Sequence, residues 1–325
     1  MLHSSLLKAV LGTIVFAAWF MNSAHAQTPF PSKPVHVVVP FAAGGINDLV
    51  ARMVAPKMGD TLGQPVIVDN RPGAGGVLAT ETVGKSPADG YTLLVAFDSF
   101  AANPYLYKSA HYDPVRDFVP VSWIVRSRLL LAVPPTLGVH TLQEFVTLAK
   151  KRGKLMNYAT AGGGTSSHLV AELFKLTAGI DPTPIHYKGG APAVNDLLGG
   201  HVDMMMPTMN TVLPYVQSGK LLALAVSSTA RSPLLPAVPA IAETYPGFEA
   251  QSWVGFVAPA GTPGPVLARL HGDVTKASAA REVREKMEGL GLELVETSSE
   301  AFGEWIKTES NRWSHVIREQ HISLE

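Results

Sequence analysis

The sequence predicts an α/β protein of one large domain or two moderate ones, and three observations lead there. Short apolar runs alternate with helical patterns through most of the 325 residues, a length well able to bury two cores. The 29 glycines and 25 prolines supply more turns than a helical bundle would use. Two of the apolar runs also end in glycine-rich turns that open directly into helical patterns, at residues 40–48 and 161–168.

Taken in order, residues 35–39, 65–69 and 91–97 read as strands, with helices from about Asn47 and about Gly76 between them. A βαβαβ unit of this kind takes parallel strands. Pro56 lies inside the first helical pattern and is expected to kink or shorten it. A second series follows Arg126. It has a strand at 129–133, a helix capped by Thr141, a strand at 157–160, a helix at 166–178 and a strand at 185–187. A helix near 191–198, a strand at 202–206, a helix near 211–218 and a strand at 222–227 complete it. The alternation predicts a second parallel sheet. Residues 231–246 are rich in proline and read as surface loop, 253–258 as a strand, and 263–321 as three amphipathic helices. In the last of these, Phe302, Trp305, Ile306 and Trp313 share an apolar packing face.

Composition removes several function classes. Lys+Arg and Asp+Glu are both 26, so no broad positive field exists to hold nucleic acid or an anionic membrane. Lys8 precedes an apolar run at 9–21 that is too short to span a bilayer, and Ala24-His25-Ala26 offers a signal-peptidase site before Gln27. Residues 1–26 therefore read as a cleaved signal peptide, with a retained anchor as the alternative. With no cysteine, the product is neither a lipoprotein nor disulfide-bonded, and export points to the periplasm.

The chemistry concentrates in the two glycine turns. Glycine lets a bound group approach the backbone, and the following helix start presents free N–H groups that attract an anion. Both turns are equally readable as ordinary helix starts. Asp48 would repel an anionic ligand and is better read as an acceptor that fixes its loop or as a partner for water or an ammonium group. Lys188, in the Tyr187-Lys188-Gly189-Gly190 turn, either pairs with a ligand carboxylate or is a solvated surface cation. Nucleotide motifs fail: Ala79 replaces the glycine that a phosphate loop ending in Gly84-Lys85-Ser86 requires, and Leu78 replaces the third glycine of a dinucleotide fingerprint. Ser167 and His168 are adjacent in one helical turn, which points them apart, and no Gly-x-Ser-x-Gly elbow occurs. Catalysis, a cofactor and a metal site are accordingly not expected.

Seven segments in order carry a family resemblance: PFAAGGIND at 40–48, NRPGAGG at 70–76, TSSHL at 165–169, YKGGAPA at 187–193, GGHVD at 199–203, GKLLALAV at 219–226 and VAPAGTP at 257–263. Together they resemble the Bug family, the periplasmic solute receptors of tripartite tricarboxylate transporters. The resemblance implies a type II-like periplasmic binding protein fold, with one discontinuous domain of residues 27–127 plus 252–325 and a second of 128–251. It implies a cleft lined by Phe41, Ala42, Gly44, Gly45, Asn47 and Asp48 from the first turn and by Asp98, Ser99 and Phe100 after the third strand. From the second domain it implies Gly164, Thr165, Ser166 and Ser167, then Lys188, Gly189 and Gly190, and finally Asp203 and Thr208. The implied ligand is a small carboxylate: an organic acid, amino acid or aromatic acid held by backbone N–H groups. The implied partners are permease subunits of such a transporter or a sensor, and the chain is expected to be a monomer. Relatives often carry glycine where this chain has Ile46, and an Asp where it has Met206-Pro207-Thr208. The methionine run 204–206 either lines an apolar pocket or forms a buried strand.

Overall fold

The computed structural model describes residues 30–324, so the expected signal peptide and its cleavage point at Ala26/Gln27 lie outside the described residues. β1 (Val35–Val39) is entirely apolar but for His36 and runs into the first glycine turn. α1 (Ile46–Leu62) follows and ends at Gly63, whose left-handed φ of 69° lets its N–H reach Gly59 O. Pro56 does not shorten α1 as expected. Proline frees the carbonyl four residues earlier; both Pro56 and Arg52 are exposed, where water can satisfy it.

β2 (Val66–Asn70) and β3 (Thr92–Phe97) both pair with β1 in parallel, so the βαβαβ reading holds, with α2 (Val77–Gly84) between them. Two elements follow that the sequence did not announce. α3 (Asp98–Leu106) starts at the residue after β3, and β4 (Phe118–Arg128) is an 11-residue strand. β10 (Gln251–Pro259) inserts between β3 and β4, antiparallel to both, and every one of its residues is buried. With β11 (Glu293–Leu294) the order is β11-β4-β10-β3-β1-β2.

The second sheet corrects the parallel expectation. β5 (Leu130–Val133), β6 (Asn157–Thr160), β7 (Thr183–His186), β8 (Met204–Met205) and β9 (Leu222–Val226) take the order β7-β6-β8-β5-β9. β6 is parallel to β7 and β8, but β5 is antiparallel to β8 and β9, so the sheet is mixed. The physical reason is continuity: β5 follows β4 after a single residue, so it enters its sheet directly from the crossing strand, without a crossover helix to reverse it. α4 (Leu142–Arg152), α5 (Ser166–Ala178), α6 (Gly190–Leu198) and α7 (Met209–Gln217) complete this lobe. Met204 and Met206 enter one apolar cluster and Met205 the other, all three at most 1% exposed, so the methionine run is a two-faced buried strand and its edge.

The chain crosses between sheets at Leu129 and returns at Ala250, and Ser227 ties the crossings together. Leu129 N–H donates to Ser227 Oγ (2.9 Å), while the Ser227 hydroxyl donates to Ala250 O (2.6 Å). α8 (Gly264–Ala279), α9 (Arg281–Gly289) and α10 (Ser299–Glu319) match the three expected amphipathic helices. Phe302, Ile306 and Trp313 of α10 are buried, as their spacing requires, and Trp253 of β10 packs edge-on against Phe302.

Candidate functional site

Both glycine turns leave the carboxyl end of a strand and start a helix. In the first, Gly44 takes φ +92° and Gly45 caps α1 without a side-chain bond, leaving the opening N–H groups of that helix without intrahelical acceptors. Asp48 is 4% exposed and fixes the turn from inside: it accepts from Gly44 N–H (2.9 Å), Arg52 Nε (2.8 Å) and Asn70 Nδ2 (3.0 Å). Burial alone would raise its pKa, but these donors outweigh burial and hold the carboxyl below its ordinary range. Asn70 also donates to Phe41 O (3.0 Å) and accepts from Arg52 (2.8 Å), so it fastens the loop from β2. Ala42, Gly44 and Gly45 are exposed, and Asn47 is buried with its Oδ1 unpartnered.

The second turn uses neutral groups. Gly162 and Gly164 take φ +133° and +75°. Thr165 Oγ1 donates to Gly162 O (2.7 Å), Ala161 N–H donates to Ser167 Oγ (2.8 Å), and Gly164 N–H donates to His168 Nδ1 (3.1 Å). An acceptor at Nδ1 is a neutral ring; burial, with His186 and Lys175 adding, pushes the His168 pKa down to about 3. The Ser167 hydroxyl is thus committed to the turn and not to His168. Thr165 and Ser167 shape the loop, while Ser166 faces elsewhere.

α3 stands between the two turns. Phe97, just before it, meets Phe41 of the first turn edge-on at 4.5 Å. Asp98 accepts from the Ser252 hydroxyl (2.7 Å), and Ser166 of the second turn bears on the same carboxyl. Asp98 is 1% exposed, and burial, helped by the charge of Glu309, pushes its pKa up to about 8 against the opposing bond from Ser252. Ser99 and Asn103 both donate to Gly75 O, at 3.2 and 3.0 Å, and a Cβ on Gly164 would lie 3.0 Å from Leu106 Cδ1 and 3.5 Å from Asn103 Oδ1. Three helix N-termini, those of α1, α3 and α5, therefore gather at one junction, and their dipoles favour an anion.

The remaining expected residues are spread. Lys188 is exposed beside Gly189, whose φ is +124°, and the carbonyl of Tyr187 lies 3.5 Å from where a Gly162 Cβ would sit, so this turn adjoins the second. Gly190 begins α6. Thr208 caps α7 and its hydroxyl meets that of Thr211 at 2.9 Å. Phe100 is 1% exposed, stacks with Tyr112 and meets Phe118 edge-on in the core. Asp203 pairs with Arg152 (3.0 Å) and accepts from Asn157 N–H (2.8 Å) at the start of β6, the opposite end of that strand from the glycine turn. Asn70, Asn103 and Ser252 went unnoticed in the sequence; NRPGAGG marked the turn at Asn70, whereas nothing local marks Asn103 or Ser252. Among the described residues, no group of three or more His, Asp or Glu is placed to hold a metal ion.

Two α/β lobes with mixed sheets, crossed twice by the chain and facing each other with helix-opening turns, define a periplasmic binding protein fold of the type II kind. Residues 50–322 match the tripartite tricarboxylate transporter family receptor model, and the chain belongs to that family, one of transport receptors rather than enzymes. It is 38% identical over 322 residues to Protein BugT of Bordetella pertussis, covering 98% of each chain. Its fold is similar to that of R. palustris Rpa4515 with adipate, at a TM-score of 0.82, 34% identity, and 91% and 100% of the two chains. MatC from Rhodopseudomonas palustris with bound malate gives a TM-score of 0.81 at 33% identity, over 89% and 100%.

Proposed function

We propose that this chain captures a small organic acid in the periplasm, between a discontinuous domain (27–127 plus 252–325) and a second domain (128–251), and presents it to permease subunits. Family membership supports the carboxylate class and the transporter association. The observation that carries the reading is the convergence of the α1, α3 and α5 N-termini around Asp98, Ser166 and Asn103. The carboxylate would be held by N–H groups of the turns at 41–48 and 164–167, with the 188–190 turn at the rim. Adipate and malate in the related structures make dicarboxylates the first compounds to try.

The experiment uses the exported chain, unfolded and refolded to remove any carried ligand. Thermal shift against mono-, di- and tricarboxylates, amino acids, aromatic acids and neutral sugars is the measurement. A cognate acid at 100 times its Kd should stabilise by about 2.7 kcal/mol. A sugar that raises the melting temperature while every carboxylate leaves it unmoved would overturn the reading.

A further inference from the structure

The Asp98 carboxyl lies between the two turns, and only one of its oxygens is used. Oδ2 takes the Ser252 hydroxyl at 2.7 Å, whereas Oδ1 is buried with no hydrogen-bond partner. A buried polar oxygen left so costs stability unless something else occupies it. Asp98 opens α3, one residue after the Phe97 ring that touches the first turn, and the Ser166 hydroxyl at the head of α5 bears on it from the second. Asn103 Oδ1, less than two helical turns along α3, is likewise unpartnered and faces Gly164, while its Nδ2 is spoken for by Gly75 O.

The surroundings decide which ligand group meets Oδ1. Behind Asp98, on α10, Glu309 is fully buried, with Arg312 2.9 Å from its Oε1 and the Trp313 indole donating at 3.0 Å. Glu309 has these neighbours, and Glu249 stands near it; Asp98 has one hydroxyl bonded to it, that of Ser252 on β10, with Ser166 on α5 close by. His168, further along α5, is neutral. Burial raises the pKa of both acids, and Asp98, the one with no cation beside it, holds its proton up to about 8. An ammonium brought here would meet three positive helix ends and an un-ionised acid. A carboxylate would meet three positive helix ends and an acid able to donate.

We propose that Asp98 is a specificity-determining residue of this site: as a carboxylic acid its Oδ1 donates to an oxygen of the bound carboxylate, so the receptor selects acids that lack an ammonium group at the bound end. This rests on the carboxylate reading above and deepens it. The receptor takes plain or hydroxylated organic acids and rejects their α-amino counterparts. Ionisation of Asp98 then sets a like charge against the ligand and releases it.

Matched pairs test this by calorimetry on the refolded exported chain: succinate against aspartate and glutarate against glutamate, from pH 6.5 to pH 9.5. The deaminated member should bind at pH 7 and its amino counterpart at least about tenfold more weakly, a difference of 1.4 kcal/mol. Affinity for the acid should fall roughly tenfold per unit above about pH 8, as a single proton required for binding is lost. Asp98→Asn, which keeps a neutral side chain of the same shape with a donor, should bind the acid with no such fall. If the acids bind with affinity flat to pH 9.5, or the amino acids bind more tightly, the role of Asp98 is wrong while the carboxylate reading stands. If no carboxylate binds at any pH, both are wrong. The wild-type profile alone decides should the variant fail to fold.

Discussion

The turn at residues 41–48 is held by charge, and the turn at 161–168 is held by neutral groups, although both present a helix N-terminus to the same junction. In the first, the Asp48 carboxylate gathers Gly44, Asn70 and Arg52 on a loop whose glycines are exposed. In the second, hydroxyls and a neutral imidazole hold a loop pressed against α3 and Leu324. The two turns thus fix similar helix starts by different means. Asp48 is itself buried, so its charge is kept by the donors gathered on it. The second turn reaches the same end with neutral donors and acceptors and no charge to hold.

The largest expected contrast comes from the paired variants Gly164→Ala and Gly44→Ala. Both glycines have left-handed backbone, at φ +75° and +92°, so each alanine costs about 1–2 kcal/mol in strain. Around Gly44 there is nothing within 4 Å, whereas the Gly164 methyl would lie 3.0 Å from Leu106 Cδ1. Overpacking there adds about 1–3 kcal/mol and displaces α3, which carries Asp98 and Asn103. Denaturant titration should show Gly164→Ala as the less stable, and ligand titration should show its affinity lost while that of Gly44→Ala is largely kept. Equal losses at both positions would remove the asymmetry between the jaws.

A second contrast is the response to acid. The folded chain keeps His168 neutral to about 3, against an ordinary value of 6.5, so the unfolded state binds the extra proton between those values. Stability from this group is full above 6.5 and is lost as pH falls, by up to about 1.4 kcal/mol per unit. Asp98, raised from 3.8 to about 8, acts in the opposite sense: its neutral form is favoured in the folded state, so stability falls as pH rises between those values. The two slopes offset one another between about pH 4 and 6.5 in the wild type. His168→Gln, which retains an acceptor for Gly164 N–H, should remove one slope, so that the variant gains stability relative to wild type on acidification from pH 6.5 to pH 4. Asp48, with its lowered pKa, loses its contribution only below about pH 4 and should leave this window unchanged. Parallel profiles for wild type and His168→Gln would show that the ring is not the neutral clasp of the second turn.

These clasps mark where sequence reading reaches and where it stops. The strands β1 and β6, the helix α5 and the Thr141 cap were legible because period, glycine and capping residue lie next to one another in the chain. The loop-fixing role of Asp48 was legible from its place in a first helical turn. α3 was not, because Asp98–Leu106 is buried on nearly every side, carries Pro104 and so shows no amphipathic period. β4 contains Pro120 and pairs with β10 over a hundred residues away, so neither its existence nor its direction is written locally. Asn103 and Ser252 act on the site through hydrogen bonds to residues 28 and 154 positions away, which no motif encodes.

The smallest expected effect tests whether the first turn's charge matters as charge. Arg52 donates from Nε to Asp48 and from Nη2 to Asn70, but its side chain is half exposed, so solvent and salt screen it. Arg52→Ala should therefore cost no more than about 1 kcal/mol in denaturant titration, and the deficit relative to wild type should shrink as salt rises from low to molar concentration. Asp48 would still hold Gly44 and Asn70, so ligand affinity should move little. No salt-dependent loss is expected at the second turn, where Ser167→Ala removes a neutral bond to Ala161 N–H. A deficit in Arg52→Ala that stayed constant with salt would mean that the guanidinium acts by packing and hydrogen-bond geometry, and both jaws would then be held by the same kind of force.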